Sequence, residues 1–295
     1  MKVEVINSLA DVGDTEWNRL NCTGDPFVSH QFLYGLELHD CLKPQGWYGT
    51  HVLLRDDDDV LIAAMPLYVR TNSYGEFVFD WAWADAYERA GGRYYPKLVS
   101  AIPFTPATGN RLLAADPADL AIAAPALAGA AIKLVEHHGA SSLHFLFPSE
   151  EQALLFKEQD FLLRAGCQYH WFNRGYENFG AFLQALNSKR RKQIRRERRD
   201  ANAAGISVEI LCGNDITAEH WSVFHEFYCS TFYRKWGEPR LTESFFQYLS
   251  EAMPDVPLLV LGKHDGKYVA GSFSMRGSDT LYGRHWGCSQ HFKLL

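Results

Sequence analysis

Eight lysines and arginines and a single glutamate fall between Lys189 and Arg199, in a chain whose net charge is −6. On a helical wheel of about 100° per residue, Phe179, Phe182, Leu183, Leu186 and Ile194 share a sector of about 120°. Lys189, Arg191, Lys192, Arg195, Arg196, Arg198 and Arg199 fall on the opposite side, and only Arg190 joins the apolar sector. Such a helix docks by one face and presents cations on the other. Cations without interleaved acids repel one another, and an anionic partner offsets that repulsion. Arginine forks fit phosphate oxygens, so the expected partner is a tRNA backbone, a lipid-linked pyrophosphate or an anionic membrane surface. A merely solvated charged helix is the alternative.

Three further stretches carry residue types that could act on a ligand. In DWAWADAYERAGGRYYPK, from Asp80, a Gly pair before a helix would make a nest of backbone N–H groups. Arg89, Gly91, Gly92, Arg93 and Lys97 would there hold an anion such as a phosphate, and Asp80, Asp85 or Glu88 could accept a proton as a base. An ordinary turn with hydrated carboxylates is the alternative. In PFTPATGNR, from Pro103, two prolines and a glycine fix a loop on which Thr105, Thr108, Asn110 and Arg111 would bind a polar substrate, or else bond their own backbone. In TLYGRHWG, His285 stands between Arg284 and Trp286 and is the third candidate base.

The elements that position these residues must come from a chain of 295 residues that is 47% hydrophobic and 14% aromatic, enough for a sizeable core. Set against −6 overall, the block's net +7 leaves −13 elsewhere, so the basic charge is local and a general nucleic-acid coat protein is excluded. The six cysteines show no CxxC pair and no metal-ligand spacing, which predicts a reducing cytoplasm, no disulfide framework and no metal site. MKVEVINSLADV lacks the basic start and apolar run of a signal peptide. The most apolar stretch, Leu120 to Val135, is Ala-rich and interrupted by Pro125 and Lys133, so it reads as a buried helix, with any membrane contact peripheral, at the inner face.

The order of elements is written twice. VEVINSLADVGDTEW and VEILCGNDITAEHW each place a strand before a helix entry, with Trp17 and Trp221 at the same point. VSHQFLYGLEL and LTESFFQYLSEAM follow, each opening on a Ser or Thr cap. Then come three strand-like runs with tight polar turns: HVLLR, VLIAAMPLYVR and FVFDWAW in the first copy, PLLVLG, YVAGSFSMR and TLYGRHWG in the second. The first copy goes on through a helix near Asp119 to His138, a strand SSLHFLF, a helix from Ser149 and a closing strand CQYHWFN. The second stops after its third strand.

That order resembles the acyl-CoA N-acyltransferase (GNAT) fold. The run LNSKRRKQIRRERRDANAAGISVEI, with FYRKWGEPRLTESFFQYL after it, resembles Fem-type peptidyltransferases. Closer still, PFVSHQFLYGLE, AGGRYYPKL, PFTPATGNRLL, SSLHFLF and RRKQIRRERR together resemble the FemAB-like family of peptidoglycan biosynthesis or recognition proteins, over nearly the whole chain. The resemblance implies an α/β protein with mixed sheets in tandem GNAT-like units, residues 1–175 complete and 176–295 carrying the basic helix and an incomplete second unit. Members of that family continue into a Gly-rich GAQGEHK-type motif not found here. It further implies transfer of an acyl or aminoacyl group to an amino group, with acyl-CoA or aminoacyl-tRNA as cosubstrate, no tightly bound cofactor, and a small or lipid-linked acceptor such as a peptidoglycan precursor. Binding of a phosphate-bearing precursor or RNA without turnover is the alternative reading.

Overall fold

The computed structural model describes residues 1–235 and 237–289. Strand β1 (Lys2–Ile6) leads into helices α1 (Asp14–Asn18) and α2 (His30–Leu38). Two extended runs follow, each broken midway: the first gives β2 (Trp47–Gly49) and β3 (His51–Arg55), the second β4 (Leu61–Met65) and β5 (Tyr68–Arg70). Pro66 lies at the second break, where a residue without an N–H cannot continue a ladder. Each run can therefore serve two sheets. Helix α3 (Trp81–Arg89), β6 (Lys97–Ser100), β7 (Leu113–Ala114), α4 (Pro117–His137), β8 (Leu143–Phe145) and α5 (Glu150–Glu158) complete the first half. The second half runs α6 (Phe179–Gln184), α7 (Ser188–Ala203), β9 (Ile206–Cys212), α8 (Ala218–Tyr233), α9 (Glu243–Ala252), β10 (Pro257–His264), β11 (Lys267–Arg276) and β12 (Leu281–Cys288).

The described residues form three four-stranded sheets, in the orders β1-β3-β4-β7, β2-β5-β6-β8 and β9-β10-β11-β12. The first and third are antiparallel throughout, while β6 and β8, joined through α4, pair in parallel. The first half has β1, α1, α2, β3, β4 in that order and the second β9, α8, α9, β10, β11. Ser29 and Thr242 cap α2 and α9 as expected, each hydroxyl accepting a backbone N–H three residues on. Trp17 and Trp221 are both buried, and their indoles donate to the Val28 carbonyl and to Ser250 Oγ.

A hydrophobic core crosses between the halves: Trp17, Phe27 and Trp47 belong to one cluster with Trp221, Phe245 and Phe273. Helix α2 packs on α9 so closely that a Cβ at Gly35 would stand 2.6 Å from the Tyr248 ring, so glycine is needed there for the approach. Helix α4 covers the other face of the first sheet through Leu127 and its neighbours against Val52, Leu54 and Met65. It is long and apolar enough to cross a membrane, and in this fold its Ala-rich face lies on β3 and β4.

Two expected strands are not formed. FVFDWAW gives an irregular loop and then α3, because Glu76 and Asp80 turn inward to buried cations and pull the chain out of the extended state. The place beside β4 is taken by the short β7 and the place beside β5 by β6. CQYHWFN, expected as a closing strand, has no strand partner among the described residues, and Tyr169, Trp171 and Phe172 are exposed.

Candidate functional site

The turn after α3 does not form an anion nest. The N–H of Gly91 donates to the Glu88 carbonyl and that of Gly92 to the Tyr87 carbonyl, so both donors are used in ending the helix, with Gly91 at φ +87°. Arg89 is exposed and paired with Asp85 at 2.8 Å, and Arg93 is exposed. Lys97, expected at a phosphate, is buried instead: Nζ lies 2.7 Å from Glu76 Oε2 and also donates to Asp80 Oδ2. Arg70 completes the cluster by donating to Glu76 Oε1 at 3.0 Å while its guanidinium lies 3.9 Å from the Trp47 ring centroid. Burial pushes Glu76 up and Arg70 down to about 10. Burial acts upward on Asp80 as well, but hydrogen bonds from Lys97 and Tyr94 hold it below the usual carboxylate range. A carboxylate so held is a poor base. Asp80 and Lys97 therefore hold the loop in place, and Asp85 sits on the solvent side of α3.

The loop from Pro103 reaches a cleft, but through other residues than expected. Arg111 is buried and donates to the carbonyls of Leu146, Asn110, Ala107 and Phe147, which makes it a clamp of its own loop. Thr108 is exposed and bonds Gln168, and the Asn110 carbonyl accepts from Arg111. Thr105 is buried and accepts a 3.0 Å hydrogen bond from Arg284 Nη2, which also donates to the Phe104 carbonyl at 2.6 Å.

Between that loop and the second half lies a cavity of about 350 Å³, within the size range of small-molecule sites. Its walls are Phe77, Phe104 and Pro106 from one side and Tyr228, Phe232 and Trp286 from the other, with Arg240, Arg284 and His285 among them. A wider groove of about 600 Å³ between β1 and α4 is lined chiefly by Val, Ala, Pro and Leu side chains, with Lys133 and His137 of α4 as its polar residues. Arg284 and His285 are adjacent in β12, and strict alternation would turn them to opposite faces. A bulge prevents this: Phe273 pairs with His285 and Ser274 with Gly283, which leaves Arg284 as the extra residue. Both side chains then line the cleft.

His285 stacks on Phe273 with ring planes 16° apart and meets Tyr228 edge-on at 4.9 Å. Its Nε2 is shielded from solvent and has no hydrogen-bond partner among the described residues. Burial, then the charges of Arg284 and Arg240, hold the ring well below the usual imidazole value, so it is neutral at pH 7. Burial also lowers Arg284, to about 10, and Arg240. The Tyr228 hydroxyl accepts the backbone N–H groups of Arg240 and Leu241, each at 3.1 Å, and so fixes Arg240 at the rim. The Arg240 guanidinium has no ion-pair partner among the described residues and lies 5.4 Å from the Phe232 ring. Two cations, a neutral imidazole and aromatic walls suit an anionic ligand with a planar group.

The basic block is helical, as expected, but not on one continuous wheel. Asn187 caps α7 separately from α6, which resets the helical phase. Ile194 is half-buried. Arg191 turns inward, donating to the Leu186 carbonyl, whereas Arg190 is exposed and bonds Gln193. Lys189, Lys192, Arg195, Arg196, Arg198 and Arg199 are exposed, with Arg198 stacked 4.2 Å from the Phe179 ring centroid.

Residues 8–295 match the model of the family described as peptidoglycan biosynthesis/recognition, FemAB-like. The chain belongs to the FemAB-like family. Its structure is similar to the crystal structure of FemX, with a TM-score of 0.54 at 12% identity, covering 99% of this chain and 81% of that one. L-PGS from Bacillus licheniformis gives a TM-score of 0.47 at 12% identity over 91% of this chain and 67% of that one. No curated protein matches the sequence. Within this FemAB-like chain, the residue that sequence reasoning missed is Arg240. It sits in EPRLT just before the cap of α9, and nothing in that local pattern points at a residue of β12. Arg284, His285 and Trp286 were legible as a cluster on their strand; the bulge that puts Arg284 and His285 on one face was not.

Proposed function

We propose that this FemAB-like chain is a transferase that joins an acyl or aminoacyl group to an amino group of a peptidoglycan precursor, in the cleft between the Phe104 loop and β12. The observation that carries the reading is the shielded, unpartnered Nε2 of His285 beside Arg240 and Arg284. A native protein keeps a buried polar atom unbonded at a cost of about 1–3 kcal/mol, which is repaid where that atom meets a ligand. The arginines bind the precursor's phosphate or carboxylate oxygens, and the anion relieves the repulsion that depresses the imidazole. The amine nitrogen then attacks the donor carbonyl, a C–N bond forms, the ester or thioester bond to the carrier breaks, and Nε2 takes the amine's proton while the carrier leaves with its electron pair. The exposed cations of α7 hold the donor's phosphates, of acyl-CoA or of aminoacyl-tRNA.

The sign of the pH dependence follows from the depressed imidazole. The base form is lost as pH falls through the folded pKa, so the acid limb of the rate profile lies below the usual histidine value of about 6.5. Arg240→Gln removes one of the charges that depress it, so that limb moves to higher pH. The pH dependence of kcat/KM for amide formation, which reports the free enzyme, run with each donor across the acid range, measures this. A limb that stays in place in the variant sinks the role given to His285.

For α7, reversing Lys192, Arg195 and Arg196 to Glu is expected to weaken binding of bulk tRNA about 10-fold or more at low salt. The thermal midpoint should barely move, because exposed charges add little to folding. Unfolding of the triple variant would make the block structural instead.

A further inference from the structure

We propose that the loop before α3 and the first turn of that helix form a tip that inserts at the headgroup level of an anionic bilayer. Phe79 is 69% exposed, Trp81 51% and Trp83 56%. The rings form one patch: Phe79 and Trp81 meet at 5.5 Å, Tyr74 and Trp81 at 6.1 Å, and the Arg164 guanidinium lies 5.0 Å from the Trp83 ring while donating to the Phe79 carbonyl at 3.1 Å. Scattered exposed apolar residues are ordinary, but a contiguous aromatic patch marks an interaction surface.

Charge decides for lipid as the occupant. The loop's own carboxylates, Glu76 and Asp80, are turned inward onto Arg70 and Lys97, so they bring no negative charge to the tip. Arg164 is exposed and has no carboxylate partner among the described residues. Asp85, the first exposed acid along α3, lies a turn further on and is paired with Arg89. The tip is therefore aromatic and cationic, with its acids set back, which matches an anionic headgroup layer above acyl chains. Indole and phenol rings, apolar with a polar edge, settle at that depth. The tip also borders the cleft: Phe77, two residues before Phe79, lines it. An acceptor anchored in the bilayer by a lipid would meet the cleft mouth from this side. The lipid contact stands whether or not the cleft catalyses transfer.

The test is partition of the whole chain onto vesicles of phosphatidylcholine mixed with phosphatidylglycerol, followed by co-sedimentation and by quenching of tryptophan fluorescence with brominated acyl chains. The wild type is expected to bind and to be quenched. Changing Phe79, Trp81 and Trp83 together to Ser should lower partition about 10-fold or more. Trp81→Phe with Trp83→Phe should keep most of the binding and lose the quenching, and this conservative pair decides the matter even if the serine variant fails to fold. Arg164→Glu should weaken binding to the mixed vesicles more than to pure phosphatidylcholine. No partition of the wild type, undiminished binding by a folded serine variant, or quenching that persists in the conservative pair would overturn the proposal and leave the patch to a protein partner or to another face.

Discussion

His285→Phe is expected to lower the rate of amide formation by about 10²–10⁴-fold, the range a positioned proton acceptor contributes, while the thermal midpoint holds or rises. Phenylalanine keeps the stack on Phe273 and the edge contact with Tyr228. It removes the one ring atom that is shielded and unbonded, which relieves about 1–3 kcal/mol of desolvation penalty. Loss of function with a gain in stability is the mark of a group kept for a ligand and not for the fold. Steady-state kinetics beside urea unfolding separates the two. A variant that is destabilised and active within a few-fold of the wild type would show that His285 serves packing.

Glu76→Gln is expected to destabilise the chain by about 3–5 kcal/mol, as the removal of one partner from a buried ion cluster does. Glu76 is the bridge of that cluster: one oxygen takes Arg70, the other Lys97, and all three side chains are buried. Neutralising it leaves Arg70 over Trp47 with only uncharged acceptors, the backbone carbonyls and Asn72, and Lys97 with Asp80 as its one carboxylate beside the Ser73 hydroxyl. Lys97→Met should act on the same network, so the double variant should cost less than the two single changes added together, by about 0.5–3 kcal/mol of coupling. Strict additivity in urea unfolding would mean that the two residues act separately. The cluster also holds the loop that carries Phe77 into the cleft, so a Glu76→Gln chain that remains folded should show a raised KM before any loss of kcat.

The amino-acid sequence by itself determined much of the order of elements and several helix starts. Ser29 and Thr242 cap α2 and α9 where the local pattern placed them, because a cap is a contract among four neighbouring residues. It also determined that 189–199 is helical and largely exposed, and that Arg284 and His285 are unusual on their strand. Tertiary structure alone decided what the charged residues do. Asp80 and Lys97 read as a base and a phosphate ligand until the fold brings Glu76 and Arg70 beside them, since a charge in a desolvated site takes its role from what closes over it. The same capture of Glu76 and Asp80 overrides the period-2 aromatics of FVFDWAW, whose local preference for a strand is worth less than pairing buried charges. Arg240, in the loop before α9, is held at the site by the Tyr228 hydroxyl of α8, which accepts its backbone N–H. One bulge in β12, set by pairing with β11, turns two adjacent residues into one wall of a cleft. Register between strands is a long-range property, which is why local spacing could name Arg284 and His285 but not place them on the same side.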